Sequence, residues 1–347
     1  GVVGQVAHRA TVAGLPGFHG GAVGYLLGEE NRGLEYMFIM MNMARHAVGI
    51  EAYGIAERAY QRALIYAEER IQGRGVGTHS DGPVPIIQHP DVCRMLLEMK
   101  CRIDAMRALS LYTAAAEDRA IHHVEEEDRL RNQKLVDVLI PIVKGWSSEL
   151  GNDVAGRALQ VLGGMGFIEE TGAAQYYRDV RVTAIYEGTN GIQAMDLAGR
   201  KLAMHGGRAV QAFFKLVDDE VASAKDEEGM AELAAALEKA IGEQKAATMW
   251  FMQNAMQNPN HLGAGAHHYM HIMGIACLML MWVKMARVAK AKLAEGSDDK
   301  AFYEAKIATA RYFADRFVPD AGALRRKIES GSESMMALGE EAFATAS

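Results

Sequence analysis

The sequence predicts an all-α protein in which a four-helix bundle is followed by a second helical domain, with a short β remnant at the N-terminus. Of its 347 residues, 50% are hydrophobic and 21 are methionine, but only 7 are proline and 7% are aromatic. This composition favours helices over a β-sandwich or barrel. Apolar residues also recur at helical spacing over long stretches. Glycines before residue 34 and at Gly206–Gly207 divide the chain into residues 1–33, 34–205 and 206–347.

The elements follow from these patterns in chain order. Residues 1–33 are rich in glycine, and the best strand candidate there is residues 21–28. The bundle helices are predicted at residues 34–71, 91–122, 132–162 and 187–204, and the later helices at residues 208–224, 230–257, 263–294 and 300–317. Pro141 lies inside the third helix and is expected to kink it, because proline has no backbone N–H to donate.

Charge and cysteine content narrow the classes of function. The net charge of −7 argues against nucleic acid as the main partner, since phosphate binding needs a basic surface. Three cysteines, at positions 93, 101 and 277, fit a reducing, cytoplasmic compartment better than a disulfide framework. The longest apolar run, residues 272–283, is too short to span a bilayer. His267 and His271 lie one helical turn apart without an accompanying glutamate, so we expect no metal site.

Two short segments carry the chemistry. Gln160 to Gly166 ends a predicted helix in glycines but lacks the spacing of a dinucleotide-binding fingerprint. In the segment Ile185-Tyr186-Glu187-Gly188-Thr189-Asn190, a carboxylate follows two bulky side chains at a predicted helix start. From the residues alone, Glu187 is either a general base held against apolar groups or merely the cap of that helix.

Both segments, with the Tyr177-Arg178-Asp179 block between them, resemble the acyl-CoA dehydrogenase family in sequence and spacing. Three further stretches are similar to the same family: residues 20–34 to the last strand of its middle β-domain, residues 40–45 to its first C-terminal helix, and residues 69–73 to its flavin-contacting turn. Residues 208–331 look like the extra helical domain of the larger bacterial members.

The resemblance implies FAD-dependent α,β-dehydrogenation of an acyl-CoA thioester to a 2-enoyl-CoA. Glu187 would be the general base and Gly188 would lie against the substrate. Arg45 matches a position near the CoA channel, although an ion pair with a carboxylate such as Asp104 is an equal alternative, and Arg178 and Asp179 are expected to pair with each other. The positions matched to FAD contacts are Arg70, Gln72, Gln160, Val161, Leu162, Gly163, Gly164, Thr189 and Asn190, of which residues 160–164 match contacts to the FAD of a neighbouring subunit.

The resemblance also implies an electron-transfer flavoprotein as electron acceptor and a homodimer or homotetramer. Gly73 stands where the family has phenylalanine, and a loop over residues 74–85 follows it, so this turn departs from the family pattern. The family's N-terminal helical domain and most of its middle β-domain have no counterpart in this sequence. Two alternatives to the dehydrogenase therefore stay open: an acyl-CoA oxidase, and a non-catalytic helical subunit or fragment that needs a partner.

Overall fold

A computed structural model describes residue 26 and residues 28–77 and 82–343 of the chain. These residues are mainly helical, and the β structure among them is one isolated bridge between Ile71 and Pro85. The all-α prediction is therefore confirmed for the described part of the chain. The predicted strand at residues 21–28 lies outside that part, except for Leu26 and Gly28.

The long helices begin and end within a few residues of their predicted positions. In chain order, the described helices of two turns or more in the first half are α1 (Gly33–Glu69), α2 (Pro90–His122), α3 (Glu126–Pro141), α4 (Ser147–Leu162) and α5 (Ala173–Thr183), followed by the shorter α6 (Asn190–Met195). The second half contributes α7 (Arg208–Lys225), α8 (Ala231–Asn254), α9 (Pro259–Ala294), α10 (Lys300–Arg316) and α11 (Val318–Glu329). Helices α5 and α11 were not predicted.

Helices α3 and α4 are joined by a π-helical segment, Ile142–Trp146, directly after Pro141. Proline cannot donate the regular i to i−4 hydrogen bond. The backbone hydrogen bonds therefore change from the α-helical to the π-helical pattern here, and the helix continues. A second π-helical segment, Asp196–Lys201, follows α6. Both segments lie next to the predicted site.

Ion pairs show the directions of the bundle helices. Arg107 of α2 contacts Glu57 of α1, while His46, nearer the start of α1, contacts Glu117 near the end of α2, so these two helices are antiparallel. Contacts of Arg102 with Asp153 and of Arg157 with Glu98 show that α2 and α4 are also antiparallel. Helices α1 and α4 therefore run parallel, and their C-terminal ends lie at the same end of the bundle.

Helix α9 lies in the centre of the protein. One continuous cluster of buried side chains includes residues of the bundle, of α9 and of the helices around α9, so the core runs across Gly206–Gly207. The division of the chain into domains at that point stays a prediction. By length and composition α9 could cross a membrane, but 78% of its most apolar window is buried inside the protein, as in a core helix.

Candidate active site

The candidate site is built on a backbone turn at residues 187–190, here called the Glu187 turn. Glu187 has φ of 59° and Gly188 has φ of 86°, so two successive residues are left-handed. For a residue with a Cβ this conformation costs roughly 1–2 kcal/mol. Such strain persists only where the surroundings fix the backbone, and it is concentrated at functional sites.

Three side chains fix this backbone by donating to its two inward carbonyls. Arg45 Nε donates to the Glu187 carbonyl oxygen at 3.3 Å, and Gln193 Nε2 donates to the same oxygen at 3.4 Å. The Gly188 carbonyl oxygen accepts from Lys144 Nζ at 2.7 Å and from Gln193 Nε2 at 3.3 Å. All three donors are buried. The turn is therefore held from inside the protein.

Asn190 completes this buried polar cluster. Its Oδ1 accepts from Lys144 Nζ at 3.1 Å and from Ser148 Oγ at 3.0 Å, and its Nδ2 donates to Glu149 Oε1 at 2.8 Å. The side chain of Asn190 is only 4% exposed. The side-chain amide that the resemblance matched to an FAD contact is thus used inside the protein.

Lys144 is fully buried, and this burial lowers its pKa to about 8 from the ordinary value of 10.5. The positive charge of Arg45 lowers the pKa further, whereas the carboxylates of Glu149 and Glu187 act in the opposite direction. An ammonium group without solvent is costly unless its protons are hydrogen-bonded. Here the oxygens of Gly188 and Asn190 supply that compensation.

The carboxylate of Glu187, unlike the backbone of the same residue, is not held by hydrogen bonds within the described part of the chain. The residue is half-buried, and no side chain in the described part of the chain donates a hydrogen bond to its carboxylate oxygens. The preceding residue is tied to α1, because the Tyr186 hydroxyl donates a short hydrogen bond to Glu51 Oε2. Burial and this hydrogen bond raise the pKa of Tyr186 to about 12. Glu187 therefore has a fixed backbone and an unengaged acidic group.

The structure corrects the predicted start of the helix at residue 187. Helix α6 begins at Asn190, and its N-cap is Thr189, whose Oγ1 accepts from the Ile192 N–H at 3.3 Å. Glu187 lies before the helix, so the alternative in which it only caps that helix is wrong. A glycine is required at position 188 by the turn itself, since a Cβ there would lie 2.9 Å from Gln193 Nε2.

Two predicted ion pairs have different partners. Asp104 contacts Lys306 and Lys100, whereas Arg45 contacts Asp196, with 3.6 Å between Nη1 and Oδ2. Arg178 pairs with Glu169 at 2.7 Å rather than with Asp179. Arg45 is 6% exposed and donates into the Glu187 turn. It therefore forms the kind of structural ion pair that was the alternative, with Asp196 instead of Asp104, and it also holds the backbone of Glu187, while its place near a CoA channel stays a prediction.

The predicted flavin stretch at residues 160–164 is only partly accessible. The side chains of Val161 and Leu162 are buried in the core, so neither is available to a ligand. Gln160, Gly163 and Gly164 are exposed, and a Cβ added at either glycine would meet nothing within 4 Å. The open backbone of the two glycines fits a planar or phosphate-bearing cofactor that approaches closely.

Arg70 and Gln72 lie in the turn after α1. Both side chains are exposed, and Arg70 Nη2 donates to Gln72 Oε1 at 3.3 Å. Two backbone hydrogen bonds fix this turn against the other end of the loop: the Gln72 N–H donates to the Val84 carbonyl, and the Val84 N–H donates to the Gly73 carbonyl. An exposed guanidinium on a fixed turn fits a phosphate ligand.

The predicted residues therefore form two groups. Arg45, Gly188 and Asn190 surround Glu187, whereas residues 70–72 and 160–164 lie at the opposite end of the bundle. Along α1, Arg70 is about 37 Å from Arg45, and along α4, Gly163 is about 21 Å from Glu149, at 1.5 Å per residue. The second group is too far away to contact the same reacting atoms as Glu187.

Sequence reasoning assigned no role to three residues of this buried cluster, Lys144, Ser148 and Gln193, although Gln193 is the last residue of the family motif that begins at Ile185. A lysine inside an apolar helical stretch is the one signal that could have indicated Lys144. For the discounted histidines, the described part of the chain contains no group of three or more His, Cys, Asp or Glu side chains placed to hold a metal.

Comparison with known sequences identifies relatives of both halves. Residues 31–202 match the family described as "Acyl-CoA dehydrogenase, C-terminal domain", and residues 210–339 match "Acetyl-CoA dehydrogenase C-terminal like". The chain is 43% identical to 3-methylmercaptopropionyl-CoA dehydrogenase of Ruegeria pomeroyi over 91% of its own length and 53% of that protein. It is 34% identical to the broad-specificity linear acyl-CoA dehydrogenase FadE5 of Mycobacterium tuberculosis, over 93% of this chain and 55% of that one. The chain thus spans about half the length of these curated relatives.

Solved structures share the fold. An acyl-CoA dehydrogenase of Bacillus anthracis, complexed with FAD, superposes with a TM-score of 0.69 at 21% identity, over 91% of this chain and 53% of that one. ACDH-11 of Caenorhabditis elegans, in complex with C11-CoA, gives a TM-score of 0.68 at 17% identity, over 89% of this chain and 49% of that one. Two matched C-terminal regions, together with this fold, place the chain in the acyl-CoA dehydrogenase family.

Proposed function

We propose that this chain is the C-terminal, helical part of an FAD-dependent acyl-CoA dehydrogenase and that Glu187 is its general base. The observation that carries the proposal is the contrast within Glu187: its backbone is held by Arg45 and Gln193, whereas its carboxylate has no hydrogen-bond donor in the described part of the chain. A base that is oriented but unengaged is what proton abstraction from a weakly acidic carbon needs.

The proposed reaction removes a proton from Cα and a hydride from Cβ of the acyl group. The Cα–H bond of the acyl thioester breaks and its proton passes to a carboxylate oxygen of Glu187, while a double bond forms between Cα and Cβ. When bound, FAD supplies the acceptor for the hydride that leaves Cβ. The chain's own contribution is to hold the backbone of Glu187 through the Glu187 turn, so that its carboxylate starts from a fixed position.

Several residues would hold the cofactor. Gln160, Gly163 and Gly164 offer an open edge at the end of α4, and the exposed guanidinium of Arg70 suits its pyrophosphate. Because these residues lie at the opposite end of the bundle from Glu187, we propose that they contact a second FAD. That arrangement requires a homodimer or homotetramer in which each subunit completes its neighbour's site.

The remaining roles are proposals of the same kind. An electron-transfer flavoprotein would take the electrons from the reduced flavin, and an acyl-CoA would be the substrate. All three cysteines are free, and Cys101 and Cys277 are buried. This agrees with the proposal of a reducing, cytoplasmic compartment.

The alternative of a helical subunit that needs a partner is favoured by one observation. The first turns of α1 expose large apolar side chains: Leu34 is 65% exposed, Ile39 62% and Met43 70%. An apolar face of this kind is normally covered by another surface. A partner, or further chain of the same protein, that covers this face would be needed before the site works.

The test is to purify the chain with FAD and to add acyl-CoA thioesters, alongside the full product of the reading frame that encodes it. Bleaching of the oxidised flavin absorbance in either protein supports the proposed reaction. If the full product carries flavin and no acyl-CoA reduces it, the proposed function is wrong. If only the full product reacts, the chain needs the remaining domains.

A further inference from the structure

We propose that Lys144 is a positioning residue, which holds the Glu187 turn so that the carboxylate of Glu187 points at the substrate. The inference rests on the function proposed above. Lys144 itself would contact neither substrate nor flavin, since its side chain is fully buried and both of its hydrogen bonds go to protein oxygens.

The contacts of Lys144 are made with the strained part of the turn. Its ammonium group donates to the carbonyl oxygen of Gly188 at 2.7 Å, and both Gly188 and the Glu187 before it are left-handed. Its second hydrogen bond goes to the side chain of Asn190, the first residue of α6, at 3.1 Å. One side chain therefore fixes the turn at both its centre and its end.

Burying a lysine in this space costs more free energy than burying an apolar side chain. An apolar side chain such as methionine has a similar length and would avoid the cost of burying an ammonium group. The property that lysine has and methionine lacks is a charged donor, which makes stronger hydrogen bonds to carbonyl oxygens than a neutral donor does. The geometry therefore connects Lys144 with the conformation of residues 187–190 rather than with core packing.

The backbone of Lys144 is itself fixed, because its π-helical segment is packed tightly on α9. A Cβ at Gly145 would lie 2.8 Å from the Met270 sulfur and 2.9 Å from Cβ of Gln193, and a Cβ at Gly274 would lie 2.1 Å from the Trp146 ring. Little room is left for this segment to shift. The central helix of the second half thus supports the lysine that holds the turn.

The first experiment measures single-turnover flavin reduction in the holoenzyme and in its Lys144→Met variant. We expect the limiting rate to fall about 10²-fold, the loss that a small misplacement of a catalytic group causes, while the substrate Kd and the FAD content change less than about threefold. The matched control is Lys306→Met. Lys306 is likewise a lysine that joins two helices, here α10 to α2 through Asp104, but Asp104 keeps its contact with Lys100 when Lys306 is replaced. This control should reduce flavin at the wild-type rate.

A second experiment does not depend on activity. A glutamate-specific protease cuts after Glu187 only when the turn opens, and mass spectrometry follows the cleavage at that bond. Loss of a charged hydrogen bond to the turn should make cleavage roughly tenfold faster in Lys144→Met and leave it unchanged in Lys306→Met.

Wild-type rates of both reduction and cleavage in Lys144→Met would overturn the inference. It would also be overturned if substrate affinity and FAD content fell together with the rate, since that indicates general loss of structure. If the wild-type holoenzyme shows no flavin reduction, the proposed function fails and Lys144 has no catalytic role to position, while the cleavage rates still decide whether it holds the turn.

Discussion

The Glu187 turn and the stretch at residues 160–164 both contain glycine in a left-handed conformation, but they are held in opposite ways. At the Glu187 turn, three buried side chains donate hydrogen bonds to the carbonyl oxygens of Glu187 and Gly188. Gly163, with φ of 58°, ends α4 with nothing near the position of a Cβ. The first turn is organised by side chains of the described chain, whereas the second is an open edge of that part of the chain.

The comparison separates two uses of glycine that look alike in a sequence. At position 188 the glycine is required by the fold, because of its backbone angle and the close approach of Gln193. Gly164, the neighbour of Gly163, is not left-handed, and no contact within the described part of the chain requires a glycine there.

The largest effect is expected for Glu187→Gln. Without a carboxylate to accept the proton, flavin reduction by an acyl-CoA should slow by about 10²- to 10⁴-fold. Since the carboxylate makes no hydrogen bond within the described chain, the midpoint of thermal unfolding should stay nearly the same. Stopped-flow absorbance and a thermal melt give the two values. The control is Glu170→Gln on the exposed surface, and substantial turnover in Glu187→Gln would remove Glu187 from the role of base.

A smaller effect on stability separates the two glycines. Gly188→Ala should lower the free energy of unfolding by about 2 kcal/mol, because the new Cβ meets Gln193 and the residue must stay left-handed. Gly164→Ala, which meets nothing, should change it by less than about 0.5 kcal/mol. Denaturant unfolding of both variants measures this. Equal losses would mean that the turn is not more tightly held than the open edge.

The pH dependence of stability tests the buried lysine. The pKa of Lys144 is lowered to about 8 in the folded protein, so between that pH and about 10.4 the unfolded chain binds more protons than the folded one. Stability therefore rises with pH in this window. From about pH 7.5 to about pH 9.5 the wild type should gain on the order of 1 kcal/mol over Lys144→Met. A difference that stays constant with pH would contradict the burial of a charged lysine.

The smallest effect is expected at the open edge. Gln160→Ala should leave the free energy of unfolding within about 0.5 kcal/mol, since the side chain is exposed. Its effect should instead be on FAD affinity, which loses a few-fold if one neutral hydrogen bond is removed. Titration of apoprotein with FAD measures this. Unchanged affinity would argue that residues 160–164 do not contact the cofactor.

The sequence predicted most of the fold because the long helices bury wide apolar faces, which leave a periodic pattern. Helix α5 was missed because it is only 11 residues long and buries few side chains, and α11 because it follows α10 after a single residue, with Pro319 in its first turn. The start of α6 was placed too early because nothing local separates a glutamate in a left-handed turn from a glutamate in a helix.

Within the site, the sequence motif indicated the group that carries chemistry but not what holds it. Lys144 lies 43 positions before Glu187, and its direction depends on the π-helical register after Pro141 and on packing against α9. Both are tertiary effects that no local pattern records. The same reason explains why Val161 and Leu162 were wrongly expected to be accessible. The motif matches them to cofactor contacts, but tertiary packing buries their side chains in the core.

The most direct test of the base is exchange of the α-hydrogen of a bound acyl-CoA thioester that cannot pass hydride to the flavin. Incubation in deuterated water, followed by mass spectrometry of the thioester, reports proton removal alone. Deuterium should enter the α position in the wild type and not in Glu187→Gln, with slower entry in Lys144→Met. Equal exchange in the wild type and in Glu187→Gln would contradict the assignment of Glu187 as the residue that removes the proton.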